Sequence, residues 1–293
     1  MCHYTWAVHN IRQASAFIVD PMTLLAPLAL VLYLAAGGLI ALGYYRSAPA
    51  LRKLGTASAV IAAFLHASVI WQAMATTLGW DVNFVHTLSL AALMIVGVLL
   101  VTSPWSRTVE TGIIAFPGAA FCLALQWLLT PEPLILTQVS AMLEIHVFTS
   151  LLAYSLMSIA AINALMLAAQ DYALRHPRPL RQLELLPPLA VIESVMFRLI
   201  AAGWVVLSAS LVTGLVFIDN LFDQHLVHKT GLSLLSWVLF TALLAGRHWL
   251  GWRGRRAVNW TLAAMAVLAL AYFGSKLVLE VFLDRSWMIS AGA

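Results

Sequence analysis

Four histidines lie in or beside long apolar stretches, and they are the residues best suited to chemistry in this sequence. They are His66, His86, His146 and His228. An ionisable side chain within a membrane span is costly, so it is a functional hypothesis by default. Imidazole can ligate haem iron while staying neutral in an apolar setting. The pattern predicts a haem held between helices, with His146 as the leading iron ligand, His66 next, and His86 or His228 as partners.

The four histidines differ in predicted depth. His66 lies near the middle of the second apolar run, and His86 lies about one turn inside the outer end of the third. His146 lies about two to three turns below the outer end of the fifth run, and His228 lies at the outer mouth of the seventh. Three of the four therefore share the outer half of the membrane. The cations available there for haem propionates are Lys229, Lys276 and Arg285.

A histidine in a membrane helix can also do no more than hydrogen-bond a neighbouring helix, and this alternative stays open for all four. It weighs most for His86 and His228, which lie near the interface. His146 needs a partner because an unpaired polar group in hydrocarbon is costly. The residues four positions away, Met142 and Ser150, supply no acid. Iron on one ring nitrogen, with a backbone carbonyl or water on the other, would satisfy it.

Motifs for other chemistries are absent from the sequence. It contains no GxSxG, HExxH, Walker loop or paired-carboxylate motif. Its two cysteines, Cys2 and Cys122, are far apart, so neither a CxxC redox motif nor a CxxCH haem attachment is present. The sequence therefore predicts a non-enzymatic protein in which Cys122 is dispensable.

The composition predicts the scaffold that must position these histidines. Of 293 residues, 62% are hydrophobic and only 10% are charged, whereas soluble domains are about 25% charged. Eight runs approach or exceed the roughly 20 apolar residues that span a bilayer. We therefore predict an all-α, polytopic integral membrane protein. The runs are 23–44, 56–78, 82–102, 109–129, 136–169, 194–217, 229–247 and 257–283, flanked by polar tails at 1–21 and 285–293.

The distribution of basic residues predicts the orientation. Basic side chains mark cytoplasmic loops, and twelve fall on one side against four on the other. Both termini are therefore expected outside. The short basic clusters between apolar runs also argue against nucleic-acid binding. The twelve are Arg46, Arg52, Lys53, Arg107, Arg175, Arg178, Arg181, Arg198, Arg247, Arg253, Arg255 and Arg256.

The stretch HVFTSLLAYS, beginning at His146, resembles the histidine-led helix of the cytochrome c assembly family of haem-handling membrane proteins, of the CcsA/CcmC type. The C-terminal third is similar to the YpjD/HemX-like branch of that family. The resemblance implies that His146 is an outer-side haem ligand and that the protein lies in the bacterial inner membrane. The matching stretches are PPLAVIESVMF from Pro187, LVTGL from Leu211, DNLF from Asp219, GWRGRR from Gly251 and LAYFGSK from Leu270.

The sequence departs from the family pattern in two places. The loop DNLFDQHLVH from Asp219 contains no tryptophan, although the family has a tryptophan-rich haem-binding loop there. The second outer histidine expected beyond the last helix is also absent. His66 matches a membrane histidine of the family, and His228 matches the region just after the tryptophan-rich loop. These departures bear on haem presentation to an apocytochrome more than on haem binding.

Three functions follow as hypotheses. The first is a haem-binding protein that acts in cytochrome c assembly or haem transit, with haem, the lipid bilayer and other assembly proteins as partners. The second is a HemX-like regulator that contacts a haem-synthesis enzyme through its basic cytoplasmic loops. The third is a transporter of a small solute without haem.

Overall fold

A computed structural model describes residues 21–77, 79–106, 109–129, 133–137, 140–175, 188–217 and 224–274. Within these ranges, eight helices are long and apolar enough to cross a membrane, which confirms the all-α polytopic prediction. The tails predicted at 1–21 and 285–293 fall outside the described residues, except Pro21. The helices are α1 (Pro21–Tyr45), α2 (Pro49–Met74), α3 (Phe84–Ser106), α4 (Gly112–Leu128), α5 (Ala141–Arg175), α6 (Leu189–Phe217), α7 (Gln224–Leu250) and α8 (Arg255–Ala269).

Prolines lie at three of the helix ends that differ from the prediction. Helix α2 begins earlier than predicted because Pro49 suits the first helical position, where its missing N–H costs nothing. Helix α6 likewise begins at Leu189, directly after Pro188. Pro104, expected in a loop, lies in the last turn of α3. Helix α8 continues through one π-helical turn, Leu270–Gly274.

Helix α5 is the centre of the bundle. In its most apolar 18-residue segment 72% of residues are buried, against 22–44% in the other helices that could span a membrane. It packs against α6, α8 and α3, while α1 packs against α2 and α4. At 35 residues and 1.5 Å per residue, α5 is about 52 Å long, well beyond a hydrocarbon core of about 30 Å. The fifth run, which is longer than one bilayer, predicts a helix that continues through Gln170, Asp171 and Tyr172, and α5 does so.

A small antiparallel sheet, which the hydropathy pattern did not predict, lies at one end of the bundle. Its strands are β1 (Ala75–Thr76), β2 (Gly79–Asp81) and β3 (Ile135–Leu136), in that order. Gly79 has a φ of 144°, and a side chain there would lie 2.2 Å from the carbonyl oxygen of Leu136. Only glycine fits at this position. We call this end the sheet end; it is the predicted outer side.

The opposite end, called the arginine end, is joined by ion pairs. Arg247 of α7 donates to Glu193 of α6 at 2.8 Å. Asp171 of α5 accepts from Arg255 at 2.8 Å and from Arg175 at 3.0 Å. These contacts connect α5, α6, α7 and α8 on the predicted cytoplasmic side.

Candidate functional site

His146 lies in the second turn of α5, at the sheet end of the bundle. Because α5 begins at Ala141, His146 is closer to the helix end than the sequence predicts. Its ring is half-buried against α6. The ring nitrogen Nδ1 lies 3.0 Å from the carbonyl oxygen of Ser210 and 3.3 Å from the hydroxyl of Thr213. Its partner is therefore a neighbouring helix.

These contacts determine which ring nitrogen of His146 carries the proton. The Ser210 carbonyl can only accept, and the Thr213 hydroxyl donates to that same carbonyl at 2.9 Å. Nδ1 must therefore be the donor, and the neutral ring has its lone pair on Nε2. No residue in the described ranges forms a hydrogen bond with Nε2. A backbone carbonyl on one nitrogen and a bare lone pair on the other is the arrangement typical of a metal-ligating histidine.

The absence of a side chain at Gly214 allows the His146 ring to approach α6 closely. A Cβ atom at position 214 would lie 2.9 Å from Cε1 of His146 and 3.3 Å from Nδ1. The first distance is shorter than side chains tolerate. The absence of a side chain at Gly214 therefore sets the depth of the imidazole and keeps Nδ1 within reach of Ser210.

The surroundings of His146 are apolar and open. None of the first ten residues of α5, 141–150, has a buried side chain, whereas most residues from Leu151 to Gln170 are buried. Met142, Ile145 and Phe148 are about half exposed. Within the described residues, this part of α5 therefore offers apolar surface to lipid or to a large apolar ligand.

An aromatic cluster lies about two turns below His146. Tyr154 of α5 contacts Tyr272 and Phe273 of the π-helical turn, with ring centroids 5.3 and 5.4 Å apart. Phe273 in turn contacts Phe84 at the start of α3, at 6.0 Å. These rings connect α5, α3 and the end of α8 beneath the open surface around His146.

His66 lies in a different environment, fully buried in α2. Its Nδ1 lies 3.3 Å from the Tyr33 hydroxyl of α1, and its Nε2 lies 2.8 Å from the Ser89 hydroxyl of α3. Both ring nitrogens thus have protein partners. Ligation of iron by His66 would require the loss of one of these hydrogen bonds. The network joins α1, α2 and α3. It agrees with the alternative that a histidine in a membrane helix only hydrogen-bonds its neighbouring helices.

His86 lies in the first turn of α3, one turn from Ser89, with its side chain 14% exposed. Its Nδ1 lies 3.0 Å from the amide nitrogen of Asn83 and 3.5 Å from the Asp81 carboxylate. Asp81 is at the end of β2 and accepts the backbone N–H of Leu134 beside β3 at 2.9 Å. His86 is therefore positioned by the small sheet.

The remaining predicted residues are less informative. His228 lies in α7, but its side chain falls outside the described residues, as do Lys276 and Arg285. Cys122 is a half-buried free thiol. The rings of Trp204 and Trp237 stack with centroids 5.8 Å apart, and their indole N–H groups donate to the hydroxyls of Thr241 and Ser208 respectively.

The residues that sequence reasoning missed are the partners of the histidines. Ser210, Thr213 and Gly214 are 64 or more residues from His146. The family-like stretch LVTGL contains Thr213 and Gly214 but does not mark them as partners of His146. Asn83 did leave a signal, because its position just before an apolar run is typical of a helix N-cap. Its side-chain oxygen accepts the backbone N–H of His86 at 2.9 Å.

The described residues fit a haem ligated by His146 better than a metal ion bound by protein alone. They contain no group of three or more His, Cys, Asp or Glu side chains that could hold a metal ion. Haem iron needs only one or two axial ligands from protein. In the part of the chain that the structure describes, His146 has one ring nitrogen without a partner on an apolar, accessible surface, which suits such a ligand.

The chain is similar to several known proteins. The inner membrane protein YpjD of Escherichia coli (strain K12) is 33% identical over 262 residues, covering 89% of this chain and 99% of that protein. An uncharacterized 28.8 kDa protein of Azospirillum brasilense is 34% identical over 143 residues, 48% of this chain and 53% of that protein. The cytochrome c biogenesis protein CcsA of Synechococcus sp. (strain CC9605) is 27% identical over 89 residues, 30% of this chain and 29% of that protein.

No solved structure matches the chain. Residues 54–283 match the family described as cytochrome C assembly protein. This match includes α3 to α8, most of α2 and the candidate histidines His66, His86 and His146. The chain therefore belongs to the cytochrome c assembly protein family, as the resemblance around His146 predicts.

Proposed function

We propose that this protein binds haem in the outer half of the bacterial inner membrane and acts as a non-enzymatic carrier or chaperone in cytochrome c assembly or haem transit. The observation that carries the proposal is the geometry of His146, whose Nδ1 donates to Ser210 while Nε2 has no hydrogen-bond partner among the described residues. The family supports the setting, since cytochrome c assembly requires the handling of haem.

The protein's own residues have distinct tasks in this proposal. His146 would hold the iron through Nε2, and Ser210 fixes the tautomer that exposes its lone pair. Gly214 lets the imidazole lie against α6, and the apolar side chains beside His146 exclude water from one porphyrin face. Bound haem would supply a redox-active iron. Of the other predicted ligands, His66 is engaged on both nitrogens.

Absorbance spectroscopy of the detergent-purified protein tests the proposal. Wild-type protein purified from haem-replete cells, or reconstituted with haem, should show a Soret band. His146→Ala should lower haem occupancy or shift the band, and added imidazole should restore it in part. His248→Ala is the matched control, because His248 is exposed at the arginine end. Full occupancy with an unchanged spectrum in His146→Ala would refute the ligand role.

The HemX-like regulatory alternative has weaker support in the contacts. It relies on cytoplasmic arginines as a binding surface, but Arg247 and Arg255 are held in ion pairs with Glu193 and Asp171. Colourless protein that retains a soluble haem-synthesis enzyme on affinity purification would favour that alternative. Colourless protein that moves a small solute across vesicles would favour the transporter.

A further inference from the structure

The side chain of Asn83 determines which ring nitrogen of His86 carries the proton, and its own orientation is determined by its neighbours. The side-chain oxygen of Asn83 accepts the backbone N–H of His86 at 2.9 Å. The side-chain nitrogen of Asn83 lies 3.3 and 3.2 Å from the two Asp81 carboxylate oxygens. Turning the amide over would place its oxygen against a carboxylate and its NH2 against a backbone N–H. The orientation of Asn83 is therefore determined by two independent contacts.

With Asn83 in this orientation, its NH2 also points at Nδ1 of His86, 3.0 Å away. If Nδ1 carried a proton, that N–H would face the N–H of Asn83, and two donors cannot form a hydrogen bond. Nδ1 therefore accepts, and the neutral ring carries its proton on Nε2. The Asp81 carboxylate, at 3.5 Å from Nδ1, is the more distant contact. No residue in the described ranges accepts a hydrogen bond from Nε2.

We propose that His86 is a hydrogen-bond donor to a carboxylate of the bound cargo, through Nε2–H, and not an iron ligand. The inference rests on the proposed function. An iron-ligating histidine donates through one nitrogen and offers the lone pair of the other; His146 does so, and His86 has the opposite arrangement. The hydrogen-bonding groups at the periphery of haem are its propionates, so a propionate is the acceptor that this donor fits.

The electrostatics at His86 suit a carboxylate. The ring lies in the first turn of the 23-residue helix α3, where the helix dipole favours an anion. The negative charge of Asp81 is already covered by three N–H donors, the backbone of Leu134 and the backbone and side chain of Asn83. His86 and His146 both lie at the sheet end, where α3 and α5 begin.

Two substitutions separate donation from ligation. His86→Gln keeps an N–H close to the position of Nε2 but is a poor iron ligand, whereas His86→Met can ligate iron but donates no hydrogen bond. Each variant, with the wild type, is titrated with ferric protoporphyrin IX and with its dimethyl ester, and the ratio of the two dissociation constants is measured. The ratio cancels general effects on folding. Electron paramagnetic resonance reports the axial ligands of the bound iron.

We expect the wild type and His86→Gln to bind the free acid about tenfold or more tighter than the ester, the size of one charge-assisted hydrogen bond. His86→Met should lose this preference, and neither variant should change the axial-ligand signal. A changed signal in His86→Gln would overturn the donor role in favour of ligation. Equal binding of acid and ester by a wild type with a His146-dependent Soret band would refute this inference alone. If the wild type bound neither porphyrin, both this inference and the proposed function would be refuted.

Discussion

Substitution of Gly214 by alanine is the most direct test of how the His146 site is built. The added methyl would lie 2.9 Å from Cε1 of His146, so the ring must move off α6. Overpacking of this kind costs roughly 1–3 kcal/mol, which offsets or exceeds the ~1 kcal/mol that alanine gains over glycine in a helix. Movement of the ring also lengthens the 3.0 Å contact from Nδ1 to Ser210. Loss of such an outer contact to a metal-ligating histidine lowers metal affinity about 10- to 100-fold.

The assay compares Gly214→Ala with Gly97→Ala, a matched control in the middle of α3 where an added methyl meets nothing within 4 Å. Thermal unfolding in detergent and haem titration are measured for both. Gly97→Ala should be equal to or more stable than the wild type, with unchanged haem affinity. Gly214→Ala should bind haem about 10- to 100-fold more weakly. Wild-type haem affinity and an unshifted Soret band in Gly214→Ala would refute the role assigned to this glycine.

Three further predictions concern other parts of the chain. Alkaline phosphatase fused after residue 283 should be active and a fusion within 175–193 silent; the reverse would overturn the orientation. Cys122→Ser should keep wild-type haem binding, since this half-buried thiol has no second cysteine among the described residues; loss of binding would point to a thiol mechanism. His66→Ala should lower stability by roughly 1–3 kcal/mol, because it leaves a buried hydroxyl on either side without its partner. An unchanged unfolding temperature would refute that structural role, and a shifted Soret band would support His66 as a ligand.

The bundle itself could be predicted from hydropathy because the bilayer imposes a simple length rule. Every apolar run long enough to span became a helix, and the over-long fifth run became the central α5. The helix ends were less predictable. Pro49 reads as a breaker in the sequence, yet it serves as the first residue of α2. The sheet escaped prediction because its strands are two or three residues long, too short for any periodicity.

The sequence alone ranked His146 first among four candidate histidines, because an imidazole in an apolar helix requires a partner and the stretch HVFTSLLAYS resembles a histidine-led family helix. The chemical state of each histidine was decided only by tertiary structure. Nδ1 of His146 donates to Ser210, 64 residues away, while Nδ1 of His86 accepts from Asn83 within one turn. The sequence shows where a histidine is but not which of its ring nitrogens carries the proton. The tautomer depends on whether the nearest group donates or accepts, and that is determined by which helices pack together.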